Sequence, residues 1–153
     1  MNDLSVLYQE MILDHSRHPH NFGQAEGSNR QVDGNNPLCG DRVTVFLRLE
    51  DGVIVDASFD ARGCAISLAS ASMMTDLIKG KTEAEVHALF NRFHTMVAEP
   101  DAGDANGAGD DEMSELEALS GVRSFPSRIK CVTLAWHAMM AAFEGSGEEV
   151  HTE

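Results

Sequence analysis

The sequence predicts an α+β fold, a small antiparallel sheet packed against several helices. Two runs of alternating hydrophobicity, 42–50 and 53–60, flank Asp51-Gly52, the residue pair of a tight hairpin turn. Segments with helical spacing follow this strand pair as a block, which is the order of an α+β packing. A length of 153 residues, 42% of them hydrophobic and 24% charged, is that of one ordinary globular domain and excludes wholesale disorder.

The elements follow in order. Leu4, Leu7, Tyr8, Met11 and Ile12 recur at helical spacing behind Asn2 and Asp3, which can cap open amides, so a first helix is expected from Leu4 to about Ser16. It ends near Pro19, and Asn21, Gly23, Gly27, Ser28 and Asn29 have the composition of loop and turn. In the first strand Val43, Val45, Leu47 and Leu49 form an apolar face, and only Phe46 spoils the other. In its partner Val53, Val55, Ala57 and Phe59 are expected on one side, with Asp56, Ser58 and Asp60 opposite.

After Gly63 the small and apolar residues 64–78 predict a helix that opens at Cys64 and closes at Lys79-Gly80. Thr82 and Glu85 form a capping box for another helix, whose inner face carries Val86, Leu89, Phe90 and Phe93. Residues 99–112 hold six acids, three Gly, a Pro and no Lys or Arg, which predicts a flexible, solvated acidic insertion. Its aspartates lack the spacing of a calcium loop. Behind Phe125-Pro126, Ile129, Val132, Trp136, Met139 and Phe143 predict a last helix with Cys131 in its first two turns, and residues 145–153 are expected to fray. One domain over 1–153 accommodates all of this.

Eleven Lys and Arg against 25 Asp and Glu give a formal charge of −14, a field that repels phosphate backbones and anionic lipid headgroups. Neither nucleic acid nor membrane is expected as a partner. No cationic, apolar leader opens the chain and its most apolar stretch, 131–143, is too short to span a bilayer, so a cytoplasmic protein is expected.

Three cysteines cannot close a disulfide framework, and their contexts differ from those of inert thiols. Cys39 lies in Asn-Pro-Leu-Cys-Gly-Asp, where Gly40 lets the backbone turn closely and Asp41 can face the same point as the Cys39 sulfur. Cys64 is at a predicted helix N-terminus, which favours a thiolate, and Cys131 follows Arg128 and Lys130, which favour it too. Each cysteine alone also reads as a small buried hydrophobe. Taken together, Cys39, Asp41, Cys64 and Cys131 would complete one four-coordinate zinc site. Three thiolates and a carboxylate around a divalent ion leave a charge of about minus two, which calls for Arg128 nearby. No Cys-x-x-Cys pair supports the assignment. His15, His18 and His20 cluster at the end of the first helix, but capping and packing explain them, and His87, His94, His137 and His151 show no ligand spacing.

Several ordered motifs resemble the SufU/IscU-type iron–sulfur cluster assembly proteins, also described as NifU-like N-terminal domains. They are Tyr8 with Asp14-His15 and the stretch from Pro19 to Gly23; Asn36 to Asp41; Gly63 to Ser67 with Ala69-Ser70; and Arg128 to Cys131 with Leu134 and Trp136. The resemblance implies a three-stranded antiparallel sheet packed on helices, with the three cysteines and the aspartate at one exposed end. It also implies work beside a PLP-dependent cysteine desulfurase. IscU-type members carry a His before the third Cys and a Leu-Pro-Pro-Val-Lys motif upstream. Here Lys130 and Ser124-Phe125-Pro126-Ser127 stand in those places, and a long insertion precedes the third Cys. These departures resemble the SufU branch, whose members bind zinc and accept sulfur from a SufS-type desulfurase.

The function expected on this resemblance is a persulfide relay: a zinc-dependent sulfurtransferase, with Cys39 as the accepting thiol, Asp41, Cys64 and Cys131 holding the metal, and Arg128 and Lys130 around it. Downstream Suf components would receive the sulfur. The competing expectation is a scaffold that assembles a transient [2Fe–2S] or [4Fe–4S] iron–sulfur cluster on the same ligands. A zinc hydrolase or deaminase ranks low, because no His-x-Glu with Pro-Cys-x-x-Cys and no His-Glu-x-x-His occurs. A purely structural zinc is the remaining alternative.

Overall fold

Three long antiparallel strands and a two-residue parallel edge strand form the sheet, and helices pack against it. The computed structural model of the chain describes residues 3–23, 27–36, 40–98, 119, 126–144 and 150–151. Helix α1 (Asp3–Arg17) is followed by strands β1 (Arg30–Asn36), β2 (Asp41–Glu50) and β3 (Val53–Arg62). Helices α2 (Ala65–Ile78), α3 (Glu83–Ala98) and α4 (Pro126–Glu144) and the two-residue strand β4 (Val150–His151) complete the order. The sheet runs β3-β2-β1-β4, with β4 parallel to β1. Val150 and His151 pair with Gly34 and Asn35 inside the stretch expected to fray. The acidic tract 99–112 lies outside the described residues, and among those described no helix is long and apolar enough to cross a membrane.

β1 is a strand that periodicity does not announce, since Arg-Gln-Val-Asp-Gly-Asn-Asn contains one aliphatic residue. Pairing with β2 from Arg30↔Leu47 to Asn36↔Asp41 makes it one. Gly34 serves the packing there: a Cβ at this position would lie 3.1 Å from Leu134 Cδ1, so the missing side chain lets α4 seat against the strand.

The β2–β3 hairpin turns at Asp51 and Gly52, both at positive φ (54° and 78°), as a two-residue primed turn requires. One expectation is corrected on β3. Val55 faces solvent and Ile54 is fully buried, because a bulge breaks the register: Arg48 pairs with Asp56, whereas Leu49 pairs with Ile54. Val55 is the extra residue, and beyond it the inward phase shifts by one.

The core lies between the sheet and α2 and α4. Val43, Val45, Leu47, Ala57 and Phe59 meet Ala69, Met73, Leu134 and Ala138 there. Trp136 stacks on Phe93 of α3 at 4.2 Å between ring centroids, and its Nε1 donates to Ser70 Oγ at 3.1 Å. Ser70 in turn donates to the Val132 carbonyl, so α2 and α4 are joined by a satisfied buried polar chain. His137 is half-buried against Phe90 and His94; burial, then the neighbouring His94, lowers its pKa.

The histidines at the end of α1 and just beyond it act as a fastening. His15, buried, meets Ser72 Oγ through Nδ1 at 2.7 Å, and the same hydroxyl accepts from the His20 backbone amide at 2.8 Å. His20 Nδ1 pairs with Asp76. Asn21 donates to Thr75 and Asp76 and accepts from Lys79. Gly23 N and Asn21 O then bond across to Phe59, which ties this loop to the outer edge of β3.

Candidate metal centre

The site is assembled at one end of the sheet from three elements. Asp41 is the first residue of β2, opposite Asn36 of β1, and Gly40 before it turns the chain at φ +77° with its amide donating to the Asn36 carbonyl at 2.9 Å. The Asp41 side chain is 1% exposed. Its Oδ1 accepts from the Cys64 backbone amide at 3.0 Å, and its Oδ2 lies 3.6 Å from Cys64 Sγ.

Cys64 is the N-cap of α2, with extended backbone (φ −73°, ψ 161°) and no capping bond from its own side chain. Asp41 thus takes up one of the helix's open amides, and the thiol is left to point at the carboxylate. Gly63 makes this approach possible. A Cβ there would stand 2.2 Å from Asp41 Oδ1, closer than any real contact.

Cys131, 2% exposed, comes from the second turn of α4. One donor atom each from Asp41, Cys64 and Cys131 lies within 4.8 Å of the other two. In a tetrahedral zinc site, bonds of about 2.3 Å to sulfur and 2.0 Å to oxygen place S and O about 3.5 Å apart. The observed 3.6 Å between Cys64 Sγ and Asp41 Oδ2 fits that spacing without rearrangement. Two soft sulfurs and one carboxylate suit zinc or an iron–sulfur cluster better than magnesium or calcium.

Three of the four expected ligands are therefore brought together. Cys39 and the Arg128 side chain lie outside the described residues; Arg128 is in the first turn of α4. Lys130 is half-buried, one residue before Cys131. Among the described residues no histidine joins the donor group. Two further residues at this end were not singled out from sequence: Arg42, beside Asp41, and Arg62, two residues before Cys64, which are cross-strand partners. Pairing across the hairpin is what joins them, and the one-residue shift between Arg48 and Leu49 that sets this pairing has no signal in the sequence.

Residues 7–132 match the family described as the NifU-like N-terminal domain. The chain is 42% identical to the iron–sulfur cluster assembly scaffold protein IscU of Streptococcus pyogenes serotype M1, over 151 residues that cover 99% of this chain and 91% of the relative. It is also 42% identical to the zinc-dependent sulfurtransferase SufU of Bacillus subtilis (strain 168), over 137 residues covering 90% and 89%. A crystal structure from Fervidobacterium islandicum AW-1, described as a candidate iron–sulfur cluster assembly scaffold protein for the SUF system, superposes with a TM-score of 0.75 at 30% identity, covering 90% of this chain and 97% of that one. The sheet with its helices, the donor group at the sheet end and a match across most of the length agree, and the chain belongs to the NifU-like N-terminal domain family, with IscU and SufU among its relatives.

Proposed function

We propose that this protein is a zinc-dependent sulfur acceptor for iron–sulfur cluster assembly, which takes persulfide sulfur from a SufS-type PLP-dependent cysteine desulfurase and passes it to downstream Suf components. The observation that carries the reading is the convergence of Asp41, Cys64 and Cys131, whose donor atoms lie within 4.8 Å of one another with the Cys64–Asp41 pair at the separation of zinc ligands, which leaves one position of a four-coordinate site to fill. Cys39 is the residue to fill it. Two peptide links separate it from Asp41, so the two Cα atoms lie within about 7.6 Å of each other. Bound zinc would hold these thiols deprotonated and, having no redox chemistry, would leave their oxidation state alone.

The transfer itself needs one bond exchanged for another. The Cys39 thiolate attacks the outer sulfur of the desulfurase persulfide, a new S–S bond forms on Cys39, and the old one breaks to return the desulfurase cysteine as a thiolate. No net oxidation occurs. Asp41, Cys64 and Cys131 keep their places because each is held by a regular element: a strand end, a helix N-cap and a helix interior.

A scaffold that carries an iron–sulfur cluster as cargo on the same ligands is the second reading, favoured by the equal identity to the Streptococcus relative named a scaffold. Lys130 and Ser124 to Ser127, where IscU-type members have a His and a Leu-Pro-Pro-Val-Lys motif, favour sulfur transfer. The deciding experiment measures metal in the protein purified without added metal and alanine formation by the desulfurase in its presence. About one zinc per chain with strong stimulation, abolished in Cys39→Ala, is expected. Iron with a charge-transfer spectrum and little stimulation would assign the scaffold role instead.

A further inference from the structure

The outer face of the hairpin presents its charges in rows. Arg48 is opposite Asp56 and also meets Glu50 at 2.6 Å. Thr44, between Asp33 and Asp60 in the register, donates to Asp33 at 2.7 Å. The row at the metal end breaks this pattern. Arg42 and Arg62 stand directly opposite each other, both exposed, and among the described residues neither side chain has an ion pair or hydrogen bond. Like charges directly opposite weaken a sheet.

The placement is not that of dispersed solubilising charge. Four of the chain's 11 Lys and Arg, namely Arg42, Arg62, Arg128 and Lys130, fall within three residues of Asp41, Cys64 or Cys131, in a protein of net charge −14. The two hairpin arginines border an open cleft of about 210 Å³ whose other polar walls are Thr44 and Asp60. Asp33 and Asp60 lie one row further from the metal end, so an acidic stretch laid along the sheet would meet them and be repelled. A carboxylate arriving over the metal end meets the guanidiniums first, with Asp60 a row behind them, and their forks can each hold it with two hydrogen bonds.

We propose that Arg42 and Arg62 form a carboxylate clamp that docks an aspartate or glutamate side chain of the desulfurase and so sets that protein over the metal centre. This rests on the sulfur-acceptor reading for the identity of the partner and adds to it the residues that orient the encounter. A rim contact of this kind changes affinity and its salt dependence and leaves the chemistry of transfer intact.

The test uses the full zinc-loaded chain and the desulfurase, with binding followed by calorimetry and alanine formation followed separately. Arg42→Glu combined with Arg62→Glu is expected to weaken binding at least about tenfold and to flatten its salt dependence. Zinc content and the maximal rate at saturation are expected to stay unchanged. Arg42→Gln with Arg62→Gln gives a smaller loss, and Arg48→Glu, at the other end of the same face, gives none. Unchanged affinity in the double variant overturns the clamp, as does an equal loss from Arg48→Glu or a loss that travels with zinc. A wild-type chain that binds the desulfurase without stimulating it overturns the sulfur-acceptor reading alone; one that does not bind overturns both.

Discussion

Gly63 decides whether the aspartate can serve the site. The carboxylate of Asp41 sits where the Cβ of any other residue at position 63 would be, 2.2 Å from Oδ1, and the Asp41 Cγ and Cβ follow at 2.7 and 3.1 Å, so the whole side chain and not its tip alone would have to move. In Gly63→Ala the Asp41 side chain has to leave the Cys64 amide, which removes a donor from the metal and a cap from α2 together. Zinc affinity is expected to fall roughly tenfold or more, read by competition with a chromophoric chelator, while far-ultraviolet circular dichroism stays native. Asp41→Asn supplies the contrast, since its amide oxygen still accepts from Cys64 N but carries no charge. If Gly63→Ala binds zinc as tightly as the parent, the carboxylate does not hold the metal. The residue types of this site were legible in the sequence, because thiols beside a helix start, a Gly-Asp turn and basic residues are local features. Gly63 and the Arg42–Arg62 pair were not, because their meaning lies in contacts made across the hairpin and across more than twenty positions of chain.

At the scale of elements, the capping box shows local chemistry specifying a boundary. Glu85 accepts from the Thr82 amide at 2.9 Å, and the Glu85 amide donates to Thr82 Oγ1 at 3.3 Å, so α3 begins where the motif placed it. The Thr82 backbone amide, then its hydroxyl, lowers the Glu85 pKa below the ordinary 4.5. Folding therefore gains from the ionised carboxylate above pH 4.5, and that gain is lost as pH falls through the lower folded-state value. Thr82→Ala is expected to cost about 1 kcal/mol at neutral pH. Urea titrations of variant and parent should draw closer together below pH 4.5; a gap that stays constant there would mean the Glu85 charge plays no part. α2, α3 and α4 were legible for the same reason, with periodicity and caps both stated locally. β1 was not, because a strand with one aliphatic residue owes its conformation to its neighbours. Ala57 and Phe59 face inward as expected, but the phase of β3 nearer the turn was misread because a bulge of one residue leaves no mark in an alternation of Val, Ile and Ala.

For the molecule as a whole, the three donors define how metal and fold are linked. Asp41 comes from the sheet, Cys64 from the start of α2 and Cys131 from α4, so the unfolded chain has no comparable site. Zinc should then stabilise the folded state by mass action, about 2.7 kcal/mol when its free concentration is a hundred times Kd. For a domain of this size that is a rise in Tm of roughly 5–10 °C. Magnesium, which favours oxygen ligands, should give no such rise. The same core that unites these elements limits how much the metal matters for folding. Trp136, Phe93, Phe59, Leu134 and Met139 are fully buried among one another's elements without involving the ligands. Chelation is therefore expected to lower Tm while leaving a single cooperative transition, unlike a zinc finger, which unfolds when its metal is withdrawn. Calorimetry of zinc-loaded and chelated protein reads both quantities. A chelated chain with no transition would mean that the metal builds the fold; an unshifted Tm would mean that Asp41, Cys64 and Cys131 do not bind it.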